Sequence, residues 1–214
     1  MRRNDRALRL RLCIDQAEAG VIVTLPREAS EAHGLAFVRE RATWILAHLE
    51  NLPPRVPFVP GAVVPFLGVD HRIYHVGAVP APVRRDHGAI LVSGPTDGIG
   101  TRVLAWLRAA ARSELEHRAT ACARTLGLRA GRITIRDTRS RWGSCSAAGN
   151  LSFSWRLILA PDHVLDYVVA HEVAHLLVPN HGPAFWATVD RLSGDVAPAR
   201  AWLAAHGRML LRYG

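Results

Sequence analysis

One stretch of the sequence, residues 161–186, limits how this chain can fold. It reads PDHVLDYVVAHEVAHLLVPNHGPAFW, an apolar run that contains three histidines and one glutamate. Proline is favoured in the first turn of a helix, where its missing N–H is not needed, so Pro161 can open a helix. Pro179 removes a hydrogen-bond donor and keeps the residue before it out of the helical region. We therefore predict a helix that begins at Pro161 and ends by Leu177.

The polar residues of this run have the spacing of a metal-binding helix. His171 and His175 are four residues apart, on one face of a helix, so that both imidazoles can reach one ion. Neutral imidazole is a favoured ligand of Zn²⁺. Glu172 completes an HExxH motif, in which a carboxylate next to the first ligand can take a proton from water. The motif predicts a zinc site with Glu172 as catalytic base.

A third ligand is expected just after the end of the helix. Catalytic zinc sites have three protein ligands and one open position. His181 follows His175 by six residues and lies past Pro179, where the chain can turn back. On an unbroken helix it would lie about 9 Å farther along the axis, out of reach of the same ion. We predict one Zn²⁺ bound by His171, His175 and His181.

Other interpretations of these residues stay open. A histidine on an apolar helix is usually a core residue with a hydrogen bond, although burying three of them with a carboxylate would be costly without a metal. Asp190 and Asp195 follow where another class of HExxH enzymes has an acidic ligand. Cys145 is either a further ligand or a small buried thiol. The sequence does not choose among four candidates for stabilising an oxyanion: Arg139, Arg141, His163 and Tyr167.

The first half of the chain is predicted to be rich in β-structure. Alternating residues at 9–14 and 21–25 predict a hairpin with a turn signal at residues 18–20, and Ser30 is expected to cap a helix that ends near Glu50. A connector with four prolines, residues 51–60, can be neither helix nor central strand. Three strand-like pieces follow it: 63–67, 71–76 and 89–93.

The second half is predicted to be mostly helical. A long helix spans about 99–126, with Thr96 or Asp97 as its cap and Gly127 after its end. Two strands joined by a turn at 147–150 come next, followed by the histidine helix and by helices at about 182–193 and 198–211. Because strands and helices do not alternate regularly, the fold class is α+β.

Composition bears on partners and location. The chain has 27 basic residues, all of them arginine, and a net charge of +9, which could favour nucleic acid. The arginines are scattered and form no block, so nucleic acid is not the favoured partner. The three cysteines lack CxxC spacing, and there is neither a signal-peptide core nor an 18-residue apolar run. We expect a cytoplasmic protein without a membrane span.

Four segments closely resemble the YgjP-like zinc metallopeptidases, which are related to the SprT-like and WLM proteases: SRWGSCS (140–146), GNLSFSWRLILAP (149–161), DYVVAHEVAHLLVPNH (166–181) and PAFW (183–186). The resemblance implies a zincin-like catalytic domain, here 96–214, after an N-terminal antiparallel β-rich region with one helix, 1–95. We expect the two regions to form one compact unit. The resemblance implies the same site: His171, His175 and His181 on one Zn²⁺, with Glu172 as base.

The resemblance also implies that one strand of the 140–154 hairpin edges the cleft and pairs with an extended peptide. Trp142 and Ser144 would then lie near the cleft or, equally, pack within the hairpin. The chain departs from the family at residues 192–195, so that no role is assigned to that loop.

The function expected from the sequence is that of a zinc metallopeptidase acting on a peptide or protein substrate. Two alternatives remain: a DNA-associated protease like some SprT-like and WLM relatives, and a domain in which zinc only supports the fold.

Overall fold

The computed structural model describes residues 1–15, 20–52, 54–77 and 82–214, and its contacts divide the chain into two units after Arg55. This division differs from the predicted boundary between residues 95 and 96. The strands between residues 63 and 92 share one core with the long helix that follows them, so they belong to the second unit. Within the described ranges, no helix has both the length and the apolar character needed to cross a bilayer.

The first unit, Met1–Arg55, begins with a three-stranded sheet. Strands β2 (Arg11–Asp15) and β3 (Gly20–Leu25) pair antiparallel, as the alternating pattern predicts, and β1 (Arg2–Arg3) lies parallel to β3. The predicted turn includes Glu18 and Ala19, which lie outside the described residues.

Two helices follow in this unit where the sequence predicts one. Helix α1 (Glu31–Glu40) begins after Ser30, whose hydroxyl accepts a hydrogen bond of 3.1 Å from the backbone N–H of His33. At Arg41 the backbone leaves the helical region (φ −107°, ψ 13°), and α2 (Ala42–Glu50) starts again. On either side of the break, α1 contacts β3 and α2 contacts β2.

The second unit, Val56–Gly214, starts with a four-stranded sheet in the order β4-β5-β7-β6. Its strands are β4 (Val63–Phe66), β5 (Val69–His75), β6 (Val83–Asp86) and β7 (Ala89–Val92). Strands β5 and β7 are parallel, and the other pairs are antiparallel. The sequence does not predict β6, because its segment VRRD has a single apolar residue.

Helix α3 (Ile99–Thr125) is the longest element and runs through the core. Its residues are buried at intervals of four, at Val103, Leu107, Ala111, Leu115, Ala119 and Ala123. The predicted cap at Thr96 or Asp97 is wrong. The chain enters the helix through Gly98 (φ 83°, ψ 10°), a left-handed conformation that glycine adopts without steric cost.

A second three-stranded sheet supports the site. Strands β9 (Gly143–Cys145) and β10 (Leu151–Ser154) form the predicted hairpin, and β8 (Ile133–Arg136) lies parallel to β10 on its other side. In the order β8-β10-β9, strand β9 is an edge strand with one side not paired within the sheet. A buried 3₁₀ helix, Trp155–Leu159, follows.

Three helices complete the chain: α4 (Asp162–Ala174), α5 (Pro183–Ser193) and α6 (Ala197–Leu210). Helix α4 ends at Ala174, three residues before Leu177, the latest end that the sequence predicts. The chain combines separate sheets with helices, and strands and helices do not alternate regularly along it, which confirms the α+β prediction.

Candidate metal centre

Helix α4 is buried on two sides, which determines where its polar residues point. Its valines pack into the main core, whereas Ala170 and Ala174 pack against Phe185 of α5. Because alanine is small, α5 can lie close to α4. His171 and His175 occupy the remaining, half-exposed strip of the helix.

The structure brings three imidazoles to one place. One ring nitrogen from each of His171, His175 and His181 lies within 4.8 Å of the other two. The Nε2 atoms of His171 and His181 are 3.1 Å apart. Two nitrogen ligands of a tetrahedral zinc ion, at about 2.0–2.1 Å from it, lie roughly 3.3 Å apart, so this separation suits a shared ion.

The turn between α4 and α5 brings the third histidine back. Helix α4 closes at Ala174 with His175 as its C-terminal cap, and the N–H of Val178 still bonds to the carbonyl of Ala174 at 2.9 Å. After Pro179, the N–H of Gly182 donates to the carbonyl of Asn180 at 2.8 Å. The residue between those two is His181, which is thus held in a tight turn.

The orientation of His175 is fixed by the same turn. Its Nδ1 lies 3.2 Å from the carbonyl oxygen of Val178. A carbonyl oxygen only accepts, so Nδ1 must carry the proton and donate. This tautomer leaves the lone pair on Nε2, the usual arrangement for a metal ligand whose other ring nitrogen is hydrogen-bonded.

The ring of His171 is neutral at physiological pH. Burial, the neighbouring His175 and His181, and the charge of Arg200 lower its pKa from 6.5 to about 4. Its Nδ1 is buried and has no hydrogen-bond partner among the described residues. Burial also lowers the pKa of His175. Neutral imidazole is the form that binds a metal.

One aromatic ring contacts the whole histidine cluster. The centroid of the Phe185 ring lies 4.9, 4.6 and 4.6 Å from those of His171, His175 and His181. The ring of Trp186 lies 6.0 Å from His171 and 6.2 Å from His181. Sequence reasoning assigns no role to these two residues, although they follow the third histidine within five positions. They form an apolar wall that restricts the imidazoles.

Glu172 of α4 is buried and lies against β9. Its exposed fraction is 8%. A Cβ atom at Gly143 would lie 2.5 Å from Cγ and 2.6 Å from Oε1 of Glu172, so a larger residue there would displace the glutamate side chain. Burial raises the pKa of the carboxyl to about 7, while the charge of Arg141 and a hydrogen bond from the backbone N–H of Cys145 oppose the rise. A carboxyl group with a pKa near 7 can both accept and donate a proton at neutral pH.

The family model described as YgjP-like, metallopeptidase domain, matches residues 8–206. The chain belongs to the YgjP-like family. The match spans most of both units and confirms the resemblance carried by the motifs between residues 140 and 186. The chain therefore has a YgjP-like metallopeptidase domain.

The remaining comparisons add little. The crystal structure of the metallopeptidase zymogen of Pyrococcus abyssi abylysin matches with 17% identity and a TM-score of 0.39, over 44% of this chain and 94% of that chain. A similarity this low does not establish a common fold. No curated protein gives a significant match.

The other ligand candidates of this YgjP-like domain lie outside the histidine cluster. Asp190 is exposed on α5, and Asp195 accepts a hydrogen bond of 2.9 Å from the backbone N–H of Ala197. The thiol of Cys145 donates to the carbonyl of Ser146 at 3.5 Å. In the described part of the chain, the group that could hold a metal consists of the three histidines and includes none of these residues.

Trp142 and Ser144, which the sequence places either near the cleft or within the hairpin packing, have different surroundings. Trp142 packs into the main core, and its ring lies 3.2 Å from where a Cβ at Gly207 of α6 would be. Packing thus accounts for Trp142. Ser144 lies in the edge strand β9, opposite Ser152 of β10.

Two of the four oxyanion candidates lie close to the site. The ring of Tyr167 is 5.9 Å from that of His171, and Arg141 acts electrostatically on Glu172. His163 is exposed in the first turn of α4, eight residues before His171 and about 12 Å away along the axis. The charge of Arg139 acts instead on the buried Arg156. Burial is the main cause that lowers the pKa of Arg156, and the charge of Arg139 lowers it further.

Proposed function

We propose that this chain is a zinc-dependent peptidase in which Glu172 is the general base for peptide-bond hydrolysis. The observation that carries the proposal is the convergence of three imidazole nitrogens within 4.8 Å on the same helix-turn as a buried carboxylate. The family match supports hydrolysis of peptide bonds as the class of reaction.

The donor set fits zinc. Three neutral imidazole nitrogens suit a borderline-soft ion such as Zn²⁺ better than Ca²⁺ or Mg²⁺, which take oxygen ligands. His175 would bind through Nε2, because its Nδ1 is used by Val178. His171 and His181 would bind through the Nε2 atoms that lie 3.1 Å apart. No fourth histidine, cysteine or carboxylate of the described residues joins the group, which leaves a position for water or substrate.

The chemistry is divided between the ion and the protein. A bound zinc ion would supply Lewis acidity, which lowers the pKa of water and polarises the scissile carbonyl. Glu172 takes the proton of the attacking water and later gives it to the leaving amine, two tasks that a pKa near the working pH supports. The backbone N–H of Cys145 orients the carboxylate for both.

Tyr167 is the oxyanion donor in this proposal. Its ring contacts His171, and burial raises the pKa of its phenol, so that the O–H stays protonated and can donate. A donor aimed at developing negative charge is a large contribution to acyl-transfer catalysis. The free side of edge strand β9, next to Glu172, supports binding of an extended peptide by strand addition.

A peptide-library digest tests the proposal. Protein treated with chelator should cleave nothing, and one equivalent of Zn²⁺ should restore cleavage. Cleavage that resists chelation would contradict zinc dependence. Zinc-loaded protein that cleaves no peptide would favour the alternative in which zinc only supports the fold.

Zinc-edge X-ray absorption separates the same alternatives by structure. The peptidase requires three nitrogen ligands from the protein and one oxygen ligand from water, whereas a structural site would show four protein ligands. Association with DNA and a cytoplasmic location stay predictions from composition.

A further inference from the structure

Arg200, in the first turn of α6, lies beside the histidine cluster. Its guanidinium carbon is 4.9 Å from the centroid of the Trp186 ring, within the range of a cation–π interaction. The same ring lies 6.0 Å from His171 and 6.2 Å from His181. The guanidinium and two of the three imidazoles are therefore neighbours of the same indole ring.

The backbone that carries Arg200 is firmly held. The preceding Ala199 is 2% exposed and belongs to the main core, and the N–H of Arg200 donates to the carbonyl of Val196 at 3.0 Å. The side chain itself is exposed. A fixed backbone and an aromatic platform thus restrict a guanidinium whose side chain is open to solvent.

Electrostatics agree with this placement. Burial lowers the pKa of His171 most, the neighbouring His175 and His181 lower it further, and the charge of Arg200 adds to the same effect. Burial raises the pKa of Tyr167, and the charge of Arg200 opposes that rise. The guanidinium thus acts on two groups of the site at once.

The guanidinium of Arg200 contacts an aromatic ring instead of a carboxylate. No carboxylate of the described ranges forms an ion pair with it, and the contact that the structure gives its guanidinium is the one with Trp186. Arg118 and Arg156, by contrast, both pair with aspartates. Glu172, the carboxylate of the site, is buried against Gly143 of β9 instead.

We propose that Arg200, supported by Trp186, binds a carboxylate of the peptide substrate and gives the site a preference for peptides that carry one near the scissile bond. Guanidinium and carboxylate match in shape and form two parallel hydrogen bonds. The carboxylate belongs either to an aspartate or glutamate side chain or to the C-terminus of the peptide. This inference rests on the proposed function.

Binding to the zinc-loaded Glu172→Gln variant tests the inference without turnover. Three fluorescently labelled peptides of equal length are compared by anisotropy: a neutral one with blocked ends, the same peptide with one glutamate, and the same peptide with a free C-terminal carboxylate. At least one carboxylate peptide should bind about two- to fivefold more tightly than the neutral one, the size expected for an exposed, well-oriented ion pair. The peptide that gains affinity identifies the source of the carboxylate.

Further substitutions show which residue is responsible. Arg200→Gln should remove the preference and leave the affinity for the neutral peptide unchanged, and Arg200→Lys should restore it in part. Arg208→Gln is the matched control, because Arg208 is exposed on α6 two turns farther along. Equal affinities for all three peptides, or a preference that survives Arg200→Gln, would overturn the inference.

Cleavage by the wild-type protein separates this inference from the proposed function. Cleavage of the neutral and the carboxylate peptides with equal kcat/KM would agree with the proposed peptidase activity and show that Arg200 does not select substrates. A carboxylate preference in binding, without cleavage of any peptide by zinc-loaded protein, would retain the role of Arg200 and contradict the peptidase.

Discussion

Gly143 and Glu172 are in contact across the interface between strand β9 and helix α4. A Cβ atom on Gly143 would lie 2.5 Å from Cγ, 2.6 Å from Oε1 and 2.8 Å from Cδ of Glu172. Real Cβ atoms do not approach this closely, so any larger residue would displace the carboxylate. The position of Glu172, the proposed base, therefore depends on a glycine 29 residues earlier in the sequence.

The first prediction follows from this contact. Gly143→Ala should lower kcat/KM by about 100-fold, because a displacement of the base by roughly 1 Å is enough for such a loss. Its zinc content should stay at the wild-type level, because the atoms nearest to a Cβ on Gly143 all belong to Glu172 and not to an imidazole. The measurement is peptide cleavage together with metal analysis.

Gly77→Ala is the control for this substitution. A Cβ at Gly77 meets no atom within 4 Å, so the variant should behave as wild type. Full activity of Gly143→Ala would show that Glu172 tolerates the displacement or is not the base.

The second prediction concerns the third histidine. His181→Ala should weaken zinc binding by more than about 100-fold, since even residues that only orient a ligand contribute tenfold to 100-fold. Competition with a chromophoric chelator measures the affinity. His163→Ala removes an exposed histidine from α4 and should leave the affinity unchanged. Unaltered binding by His181→Ala would exclude this residue as a ligand.

Local patterns predict much of this site. Four-residue spacing predicts that His171 and His175 share a face, and Pro179 predicts that His181 can return toward them. The structure brings the three rings together, and their role as ligands stays a prediction. The hydroxyl of Ser30 caps α1 as its residue type predicts. All of these depend on contacts within about ten residues.

Long-range packing produces the features that the sequence does not predict. Gly143 meets Glu172, and Arg200 meets Trp186, only after sheets and helices have assembled. Strand β6 is unpredicted because its polar segment gains strand structure from pairing with β7. The cap of α3 at Gly98 depends on a backbone conformation, which residue type indicates only weakly.

The third prediction is a pH dependence of stability in the metal-free protein. The pKa of Glu172 is about 7 in the folded state, against 4.5 for the unperturbed group. Because the folded state holds this proton more tightly, folding loses stability as the pH rises from 4.5 through 7. Glutamine cannot ionise, so Glu172→Gln should be free of that loss.

Urea unfolding in the presence of chelator at pH 5 and pH 8 measures the effect. From pH 5 to pH 8, wild type should lose about 2 kcal/mol more of its free energy of unfolding than Glu172→Gln does. Asp190→Asn, which changes an exposed carboxylate on α5, should shift by less than about 0.5 kcal/mol. A Glu172→Gln variant that shifts no more than this control would contradict the raised pKa.

The fourth prediction concerns the attachment of α4 to α3. Arg118 of α3 bonds to Asp166 at 2.6 Å and to Asp162 at 2.7 Å, both on α4, and to Glu114 at 3.2 Å. The three carboxylates are 37–63% exposed, so solvent screens part of each interaction. We expect Arg118→Gln to lower the free energy of unfolding by about 1–2 kcal/mol, because it breaks a network.

The matched control lies on the same helix. Arg112 forms a single exposed pair with Glu116 at 2.8 Å, and Arg112→Gln should cost at most about 0.5 kcal/mol. Chemical denaturation of both variants at one pH makes the comparison. Equal losses would show that the pairs between α3 and α4 contribute no more than an isolated surface pair.

The most direct test of the central claim is the rate of peptide hydrolysis by wild type and Glu172→Gln at equal zinc occupancy. The account predicts that the variant keeps one zinc ion per chain and loses at least about 100-fold in kcat, since general acid–base catalysis contributes about 10²–10⁴-fold. A zinc-loaded Glu172→Gln variant with wild-type kcat would contradict the assignment of Glu172 and the mechanism built on it.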